Sequence, residues 1–473
     1  MSLLPPLTAD PEAPRQRRAR LAEALRAAGG GVAVLPTAPE RVRNRDTHHP
    51  YRPDSHFHYL TGFDEPEAWL VLDSSGRSTL LCRPRHPERE VWDGHRLGPE
   101  AAPAALGVDE ALSVEEIDHL MPGLIGGHAI LWFPFGVHEG LAARVERWLD
   151  VVRARERQGV TCPTQCRDLS ALLDEMRLVK DAHELQLMRR AGTISALAHV
   201  RVMERCAQWA REGRLDGRRE YHLEAELLHE FRRQGAAGPA YPSIVAAGAN
   251  ACVLHHPAGD APLKPGELCL VDAGCEYLGY AGDLTRTFPV GGRFSAPQRE
   301  LYEIVLAAQA AAIGALRPGG RLREAHDAAL RVLCQGMLDT GLLDRNRHGD
   351  VDEVIGTAAY RPYYMHGTGH WLGRDVHDVG SYLQEDEPPI EQPDGAGGWV
   401  VRKPSRVLRP GMVTTVEPGL YVRPAEGVPE RYWHIGIRIE DDAVITPTGC
   451  ELLTRDAPVH PDEIEALMRG KAP

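Results

Sequence analysis

Short apolar runs of strand length alternate with helical stretches in the N-terminal part of the chain. The runs Val32–Leu35, Trp69–Leu72 and Ala129–Phe133 have the length and apolar character of buried strands. Residues 15–28 instead show the spacing of a helix. Strands interleaved with helices are typical of an α/β domain, which we predict for residues 1–174.

A long helix predicted shortly after residue 180 marks the start of a second domain. Its apolar side chains recur every three or four residues, at Leu185, Met188, Ala191, Ile194 and Ala198. At 473 residues the chain is longer than one hydrophobic core usually organises. We therefore predict two domains, with the second spanning residues 175–473.

In the second domain, one apolar run ends near an acid, and another begins directly after an acid. Leu268–Gly274 is apolar around Asp272, and Leu284–Phe288 alternates directly after Asp283. Gly279–Gly282 supplies turn residues between them, which predicts a hairpin with one acid on each arm. Two such acids can share a face and point at one ion. For this pair alone, ordinary solvent-exposed acids explain the pattern equally well.

A second pair of strands repeats this arrangement. Met412–Val416 reads as a buried strand that ends at Glu417, and Pro418-Gly419 follows, where we expect strand pairing to stop. Ile435–Glu440 reads as the returning strand. Because buried carboxylates cluster only where a cation compensates them, two such pairs predict a metal site.

Histidines lie in a glycine-rich segment between the two strand pairs. His366 and His370 belong to Met365–Gly373, and His377 follows closely. The glycines argue against a helix, so the helical zinc-protease motif is excluded and a loop or short strand is predicted. For any single histidine a structural role is the simpler interpretation, whereas the cluster favours a site.

The candidate ligands are four carboxylates and one imidazole, a set suited to two hard divalent cations. Oxygen-rich sites with one imidazole favour manganese, although cobalt, iron or zinc can also occupy them. Cys275 is interpreted as a small filler rather than a ligand. A metal pair of this kind activates water for hydrolysis. The ligands are Asp272, Asp283, His370, Glu417 and Glu440.

The motifs around these residues resemble the aminopeptidase P family of pita-bread metallopeptidases. The resemblance in the second domain rests on Leu270–Tyr277, Tyr280–Thr287, His366–Gly373, Val416–Tyr421 and Gly436–Asp442. In the first domain it rests on Arg43–Arg52, Tyr59–Ala68 and Val91–Gly98. The resemblance implies an α+β pita-bread catalytic domain after the α/β domain. Prolidases share the catalytic half, but their N-terminal sequences resemble this chain less closely.

The family resemblance implies a dinuclear aminopeptidase that hydrolyses the N-terminal Xaa-Pro bond with a metal-bridged hydroxide. Asp283 and Glu440 would bridge the two metals, and Asp272 would complete one site. His370 and Glu417 would complete the other, with Glu417 also carrying protons. The substrates would be peptides with proline in second position, whose bond lacks an N–H.

The same resemblance assigns further roles around the metals. His255 matches a histidine near the substrate, and His366 and His377 match those that line the proline pocket and stabilise the intermediate. All three therefore count as both catalytic and substrate-binding. Arg438 matches a catalytic supporting position and Tyr421 a substrate-binding one.

Two features depart from the family pattern. His256 stands where an aromatic residue is expected, and the sequence leaves its effect open. The segment 381–403 is longer than expected, and its polar composition favours an irregular insert over a lid. In the lid interpretation, Trp399 would cap the substrate cleft.

Charge and cysteine content narrow the partners and the compartment. The formal net charge of -13 argues against a nucleic-acid partner. No apolar stretch is long enough for a membrane span, and nothing near Met1 resembles a signal peptide. Nine cysteines, an odd number, suit a reducing cytoplasm. Family members assemble as dimers or tetramers, which predicts a homo-oligomer with residues 43–52 as candidate contacts.

Three other functions remain open at this point. A prolidase, which cleaves only Xaa-Pro dipeptides, would share the metal chemistry. A two-metal phosphohydrolase would also use clustered carboxylates, but the sequence shows no phosphate-binding glycine loop. A non-catalytic pita-bread binding module would have lost metal ligands, whereas here all five positions are filled.

Overall fold

The computed structural model describes residues 3–8, 10–394 and 397–470. It divides the chain into two compact units. One unit runs from Thr8 to Met176, and the other from Arg177 onward together with the described residues up to Leu7. Residues 1, 2, 9, 395, 396 and 471–473, which the predicted domain ranges include, lie outside the described part.

The N-terminal unit alternates strands and helices, as the apolar pattern predicts. Its strands are β1 (Val32–Pro36), β2 (Val42–Asn44), β3 (Thr47–His48), β4 (Trp69–Asp73), β5 (Ser78–Cys82), β6 (Glu110–Ser113), β7 (Ile130–Phe133) and β8 (Gln165–Asp168). Its helices are α1 (Glu12–Ala27), α2 (Ser55–Thr61), α3 (Pro87–Asp93), α4 (Gly98–Leu106), α5 (Ile117–Ile125), α6 (Leu141–Arg153) and α7 (Ser170–Leu178), the last of which crosses the division between the units.

A mixed six-stranded sheet lies at the centre of this unit, in the order β6-β5-β4-β1-β7-β8. Successive residues of β1 enter different apolar clusters, because side chains alternate across a strand. Leu35 packs in a cluster with Leu21 of α1, and Val34 packs in another with Trp148 of α6. Helices therefore cover both faces of the sheet, which confirms the α/β prediction.

The C-terminal unit twice places a pair of packed helices before a pair of antiparallel strands. Its helices are α8 (Ala182–Arg211), α9 (Glu220–Arg233), α10 (Ala296–Ala315), α11 (Leu322–Asp339), α12 (Arg345–His348), α13 (Val351–Gly356) and α14 (Pro461–Met468). Its first strands are β9 (Gly238–Pro239), β10 (Ile244–Ala247), β11 (Leu268–Asp272), β12 (Cys275–Tyr277), β13 (Tyr280–Ala281) and β14 (Thr285–Pro289). The later strands are β15 (Ile390–Pro393), β16 (Trp399–Arg402), β17 (Val413–Val416), β18 (Gly419–Val422), β19 (Ile435–Arg438), β20 (Asp441–Ile445) and β21 (Cys450–Leu452). Short 3₁₀ turns occur at Val114–Glu116, Glu156–Gln158, Gly248–Cys252 and Glu430–Tyr432.

The first predicted hairpin is present, but its tip differs from the prediction. β11 pairs with β14, which sets Asp272 opposite Thr285. Beyond Asp272 the chain enters a second ladder, in which β12 pairs with β13. The predicted turn at Gly279–Gly282 is correct only at its first residue: the chain reverses at Leu278 and Gly279, where Gly279 has a φ of 76°, whereas Tyr280 and Ala281 are paired strand residues.

The second predicted hairpin is broken in the same way. β17 pairs with β20, and beyond Pro418 the chain resumes as β18, which pairs with β19. The expectation that pairing stops at Pro418-Gly419 is wrong, because the strand only changes partner there. Each hairpin thus consists of two ladders joined by short breaks.

The segment 381–403 contains an exposed two-stranded hairpin rather than a wholly irregular insert. β15 pairs with β16, with Gln392 opposite Val400. Trp399 is 69% exposed, so it does not cap a cleft here. A cavity of about 410 Å³ instead touches Gln392 and Arg402 of this hairpin and also His366. The hairpin therefore contributes a wall to a cavity beside the histidine loop.

No helix in the described ranges has the length and apolar character that crossing a bilayer would require.

Candidate metal centre

The four predicted carboxylate ligands sit at the breaks in the two hairpins. Asp272 ends β11, and Asp283 lies between β13 and β14. Glu417 lies between β17 and β18, and Glu440 between β19 and β20. Because the backbone changes partner at each break, these side chains leave the ladders and converge.

The structure brings all five predicted metal ligands together. Ligand atoms of Asp283, His370 and Glu440 all lie within 4.8 Å of one another. The Nε2 atom of His370 is 3.6 Å from an oxygen of Asp283 and 3.7 Å from one of Glu417. Asp272 joins the group because one tyrosine hydroxyl bonds to it and to Asp283.

The imidazole of His370 is oriented for ligation. Its Nδ1 lies 3.0 Å from the carbonyl oxygen of Trp371, and a carbonyl only accepts, so Nδ1 carries the proton. The lone pair of Nε2 therefore faces the carboxylates. Burial lowers the pKa of His370 to about 4, which keeps the ring neutral, as a metal ligand must be.

Three of the carboxylates, Asp283, Glu417 and Glu440, are held in a setting that opposes their ionisation. Burial, followed by the repulsion of neighbouring carboxylates, raises the pKa of Asp283 and of Glu440 well above the ordinary values. Burial also raises the pKa of Glu417 to about 8. Clustered buried acids are stable as anions only beside cations. Carboxylate oxygens together with one imidazole are suitable ligands for divalent cations such as magnesium, manganese and zinc.

Tyr241 is a member of the cluster that the sequence does not reveal. Its hydroxyl lies 2.6 Å from Asp272 and 2.5 Å from Asp283. Burial raises the pKa of this phenol well above 10, so it acts as a neutral donor. Tyr241 precedes β10, the strand that pairs with β11, and only this pairing reveals its position.

Arg438 and Tyr421 connect the carboxylates to His366. The guanidinium of Arg438 donates to Asp272 at 2.6 Å and to the hydroxyl of Tyr421 at 3.0 Å. Tyr421 in turn lies 2.8 Å from Nε2 of His366. His366 is 3.7 Å from Glu417 as well. Burial lowers the pKa of His366 to about 4, so the ring is neutral.

The two remaining predicted histidines are exposed. The ring of His377 packs edge-on against His370, with ring centres 4.3 Å apart. His255 is exposed, and its link to the cluster among the described residues runs through Leu254, whose carbonyl accepts from Arg438 at 3.5 Å.

A buried salt bridge, which we call the Arg286 knot, fixes the acid-bearing breaks to each other. Arg286 donates to Asp441 at 2.9 Å and to the carbonyl of Glu440 at 2.6 Å, and both charged side chains are fully buried. Next to it, the hydroxyl of Thr285 donates to Glu440 at 2.6 Å. The knot therefore holds the second break of each hairpin in place.

A second buried ionic group anchors the histidine loop. The carboxylate of Asp378 accepts from Arg177 at 2.5 Å and from Lys180 at 2.8 Å, and all three side chains are almost fully buried. Gly373 lies against this group, since a Cβ there would stand 2.1 Å from Asp378. The loop that carries His370 and His377 is thereby tied to the start of the C-terminal unit.

The metal-free protein is expected to lose stability as pH rises from 6.5 to 8. A carboxyl whose folded pKa is raised, such as Glu417 at about 8, keeps a proton that the unfolded chain has already lost above 4.5. Each such group lowers the free energy of unfolding by up to about 1.4 kcal/mol per pH unit in that window. The lowered pKa values of His366 and His370 act only below 6.5.

Urea denaturation in a chelator, at pH 6.5, 7.2 and 8, measures this slope. With manganese added the slope should reverse, because metal binding requires deprotonated ligands. A stability that stays level or rises with pH in the chelator would contradict the clustering of buried acids.

The matches to known proteins span almost the whole chain. The sequence model of metallopeptidase family M24 matches residues 186–447, and that of the aminopeptidase P N-terminal domain matches residues 15–132. A Xaa-Pro aminopeptidase of Escherichia coli is 44% identical over 458 residues, which is 96% of this chain and 97% of the relative. One from Haemophilus influenzae is 44% identical over 432 residues, 91% of each chain.

Solved structures agree with the sequence matches. The Pseudomonas aeruginosa aminopeptidase PepP superposes with a TM-score of 0.87 at 45% identity, covering 99% of both chains. The zinc-substituted aminopeptidase P of E. coli, in complex with product, gives a TM-score of 0.89 at 43% identity, covering 99% of this chain and 100% of the other. These matches confirm the predicted α/β N-terminal and pita-bread C-terminal folds. The chain therefore belongs to metallopeptidase family M24 and carries the N-terminal domain of the aminopeptidase P proteins.

Proposed function

We propose that this chain is a metal-dependent aminopeptidase that removes the first residue of peptides with proline in second position. The observation that carries the proposal is the completeness of the ligand cluster at the hairpin breaks. Relatives at 44% identity over nearly the whole chain are Xaa-Pro aminopeptidases. A binding module that had lost its chemistry would not need five ligand side chains in one place, three of them buried.

Two divalent cations, with manganese favoured, are the proposed cofactors. Asp283 and Glu440, the most buried of the five ligand side chains, would hold both cations, and Asp272 would complete one site. His370 and Glu417 are assigned to the other site. Bound cations of this kind supply a nucleophile that is active near neutral pH. The donor chemistry supports this choice, since oxygen-rich sites favour manganese over structural zinc.

Glu417 is assigned to carry protons during the reaction. Its side chain is 18% exposed, against 6% for Asp283, so it is the more open of the two carboxylates that flank His370. A carboxylate that reaches both the cluster and the open side can take a proton from water and pass it to the leaving nitrogen.

The histidines are assigned to the substrate. His366 and His377 would line the proline pocket and stabilise the intermediate. His255, which follows the 3₁₀ turn Gly248–Cys252, would also contact the peptide. Tyr421 would support substrate binding through its bond to His366. Arg438 would hold the side chains of Asp272 and Tyr421 in place, since it donates a hydrogen bond to each.

The proposal extends to the compartment, the partners, the assembly and the domain limits. The nine cysteines are all free thiols, which suits a reducing cytoplasm. The net charge of -13 disfavours nucleic acid as a partner. We further propose a homo-oligomer, dimer or tetramer, and domain limits at 1–174 and 175–473.

The test is a substrate panel on metal-depleted protein reloaded with manganese. Arg-Pro-Pro, a bare Xaa-Pro dipeptide and a peptide with alanine second are compared by release of the first residue. Cleavage of Arg-Pro-Pro alone supports the proposal. Preference for the dipeptide assigns the chain to prolidase activity instead, and no cleavage of any of the three with metal bound overturns the proposal. Reloading with cobalt, iron or zinc in parallel identifies the metal.

A further inference from the structure

Glu220 is a fully buried carboxylate outside the metal cluster, and the donors that its two oxygens meet in the described part of the chain all belong to one segment. It begins α9 and is 0% exposed. Its Oε1 accepts from the backbone N–H of Ala247 at 2.8 Å and from the side chain of Asn250 at 3.0 Å. Its Oε2 accepts from the ring of His256 at 2.9 Å and from the N–H of Gly259 at 3.0 Å. The carboxylate therefore binds residues 247–259 at both ends and in the middle.

This segment carries His255, the histidine assigned to the substrate. After the 3₁₀ turn Gly248–Cys252, residues 253–259 belong to no helix or strand, so their backbone groups need other partners. The Glu220 carboxylate supplies one of them, the acceptor for the N–H of Gly259. A buried carboxylate with four donors is a stable arrangement, because each of its lone-pair directions is used.

The opposite side of the segment rests on the strand that carries Arg438. Gly436 lies directly against Ala251, and a Cβ at Gly436 would stand 2.3 Å from the Ala251 carbonyl oxygen. Farther along the segment, the Leu254 carbonyl accepts from Arg438. His255 is thus held between a carboxylate on one side and the support of the metal cluster on the other.

His256 has a defined partner in this arrangement. Its Nε2 donates to Glu220, so its side chain turns toward the anchor while its neighbour His255 is exposed. The departure from the family pattern at this position therefore supplies a side-chain donor to the buried carboxylate.

We propose that Glu220 and His256 are positioning residues that hold His255 at the substrate side of the metal cluster. This inference rests on the proposed function, in which His255 contacts the peptide. Glu220 and His256 do not touch the reacting atoms. They fix where the segment runs.

Substitution of Glu220 by Gln tests the proposal with the fold largely kept. A glutamine oxygen can still accept from Ala247 and Asn250, whereas its NH₂ group meets the donors of Gly259 and His256. With Arg-Pro-Pro as substrate, kcat/KM is expected to fall about 10- to 100-fold, as for a misplaced binding group. His256→Leu is expected to lose about 10-fold, and His256→Gln, which keeps a donor, to recover most of it.

Glu230 offers a matched control on the same helix. It is also 0% exposed, and it bonds to Arg233 and Gln234, away from the segment. Glu230→Gln therefore repeats the loss of one buried charge without touching residues 247–259. Its kcat/KM should stay within about twofold of wild type if buried charge alone is not the cause.

A double-mutant cycle separates positioning from general destabilisation. In a His255→Ala background, Glu220→Gln should cost less than about twofold, because the residue it positions is already gone. Losses that multiply in the double variant would overturn the positioning role.

Hydrogen exchange gives a readout that does not depend on activity. Glu220→Gln should speed exchange of the amides at Gly259 and its neighbours, and Glu230→Gln should not. Unchanged protection there would overturn the anchor itself. If wild type cleaves no Xaa-Pro peptide, the proposed function fails, and exchange still decides whether Glu220 holds the segment.

Discussion

The Glu440→Gln variant is expected to bind divalent metal more than about 100-fold more weakly than wild type, yet to be more stable when both proteins are metal-free. Loss of an outer partner of a metal ligand typically weakens binding 10- to 100-fold, and loss of a ligand exceeds this range. The gain in the metal-free state follows because burial and the nearby Asp283 and Glu417 raise the pKa of Glu440 well above its usual range. A neutral amide removes that repulsion.

Calorimetric titration with manganese and thermal unfolding in a chelator measure the two effects separately. Glu204→Gln is a suitable control, because it removes the same charge from an exposed position on α8. It should change neither quantity appreciably. A metal-free Glu440→Gln protein that unfolds at a lower temperature than wild type would show that repulsion among the buried acids is not the dominant force there.

The second large effect is expected at the Arg286 knot. Arg286→Met should lower the free energy of unfolding by about 3–5 kcal/mol, the usual result of leaving one partner of a buried ion pair alone. Besides Asp441, the guanidinium serves the carbonyl groups of Glu440, Pro458 and Ala457, which would all lose a donor. Metal affinity should fall as well, since Glu440 is held by this knot.

Urea denaturation with and without the compensating change Asp441→Asn tests this reasoning. The double variant should recover part of the lost stability, because no buried charge is then unpaired. Arg189→Met is the exposed counterpart: Arg189 makes a bidentate pair with Glu451, but the two side chains are 45% and 42% exposed. Exposed pairs contribute about 0–1 kcal/mol, so equal losses at Arg189 and Arg286 would contradict the role of burial.

The apolar pattern predicts the elements well and their pairing only in part. The strand runs at β1, β4 and β7 and the long helix α8 follow directly from periodicity. Periodicity does not predict the change of partner at Pro418. The pairing of β18 with β19 depends on which distant segment of the chain lies beside β18, and the local sequence does not encode that. The exposed hairpin in 381–403 is likewise absent from the prediction, because the polar composition of this segment indicates irregular structure.

The metal ligands could be anticipated because acids at the ends of apolar strands contradict the usual surface preference of charge. Their supporting residues could not. Tyr241 and Asp283 are separated by 42 positions, and Arg286 and Asp441 by 155. A tyrosine before a strand or an arginine within one is ordinary in sequence, and only the tertiary contact gives it a role. His256 drew attention solely by departing from a motif.

The ionic group that ties the histidine loop to the start of the C-terminal unit has a practical meaning for anyone who expresses the catalytic half alone. A fragment that begins at Ala182, where α8 starts, is the obvious choice from the helix limits. Such a fragment would lack Arg177 and Lys180 and would leave Asp378 buried without either counter-charge. The loop with His370 and His377 would then lose its tether, so an inactive fragment of that length would say nothing about whether the N-terminal unit takes part in catalysis.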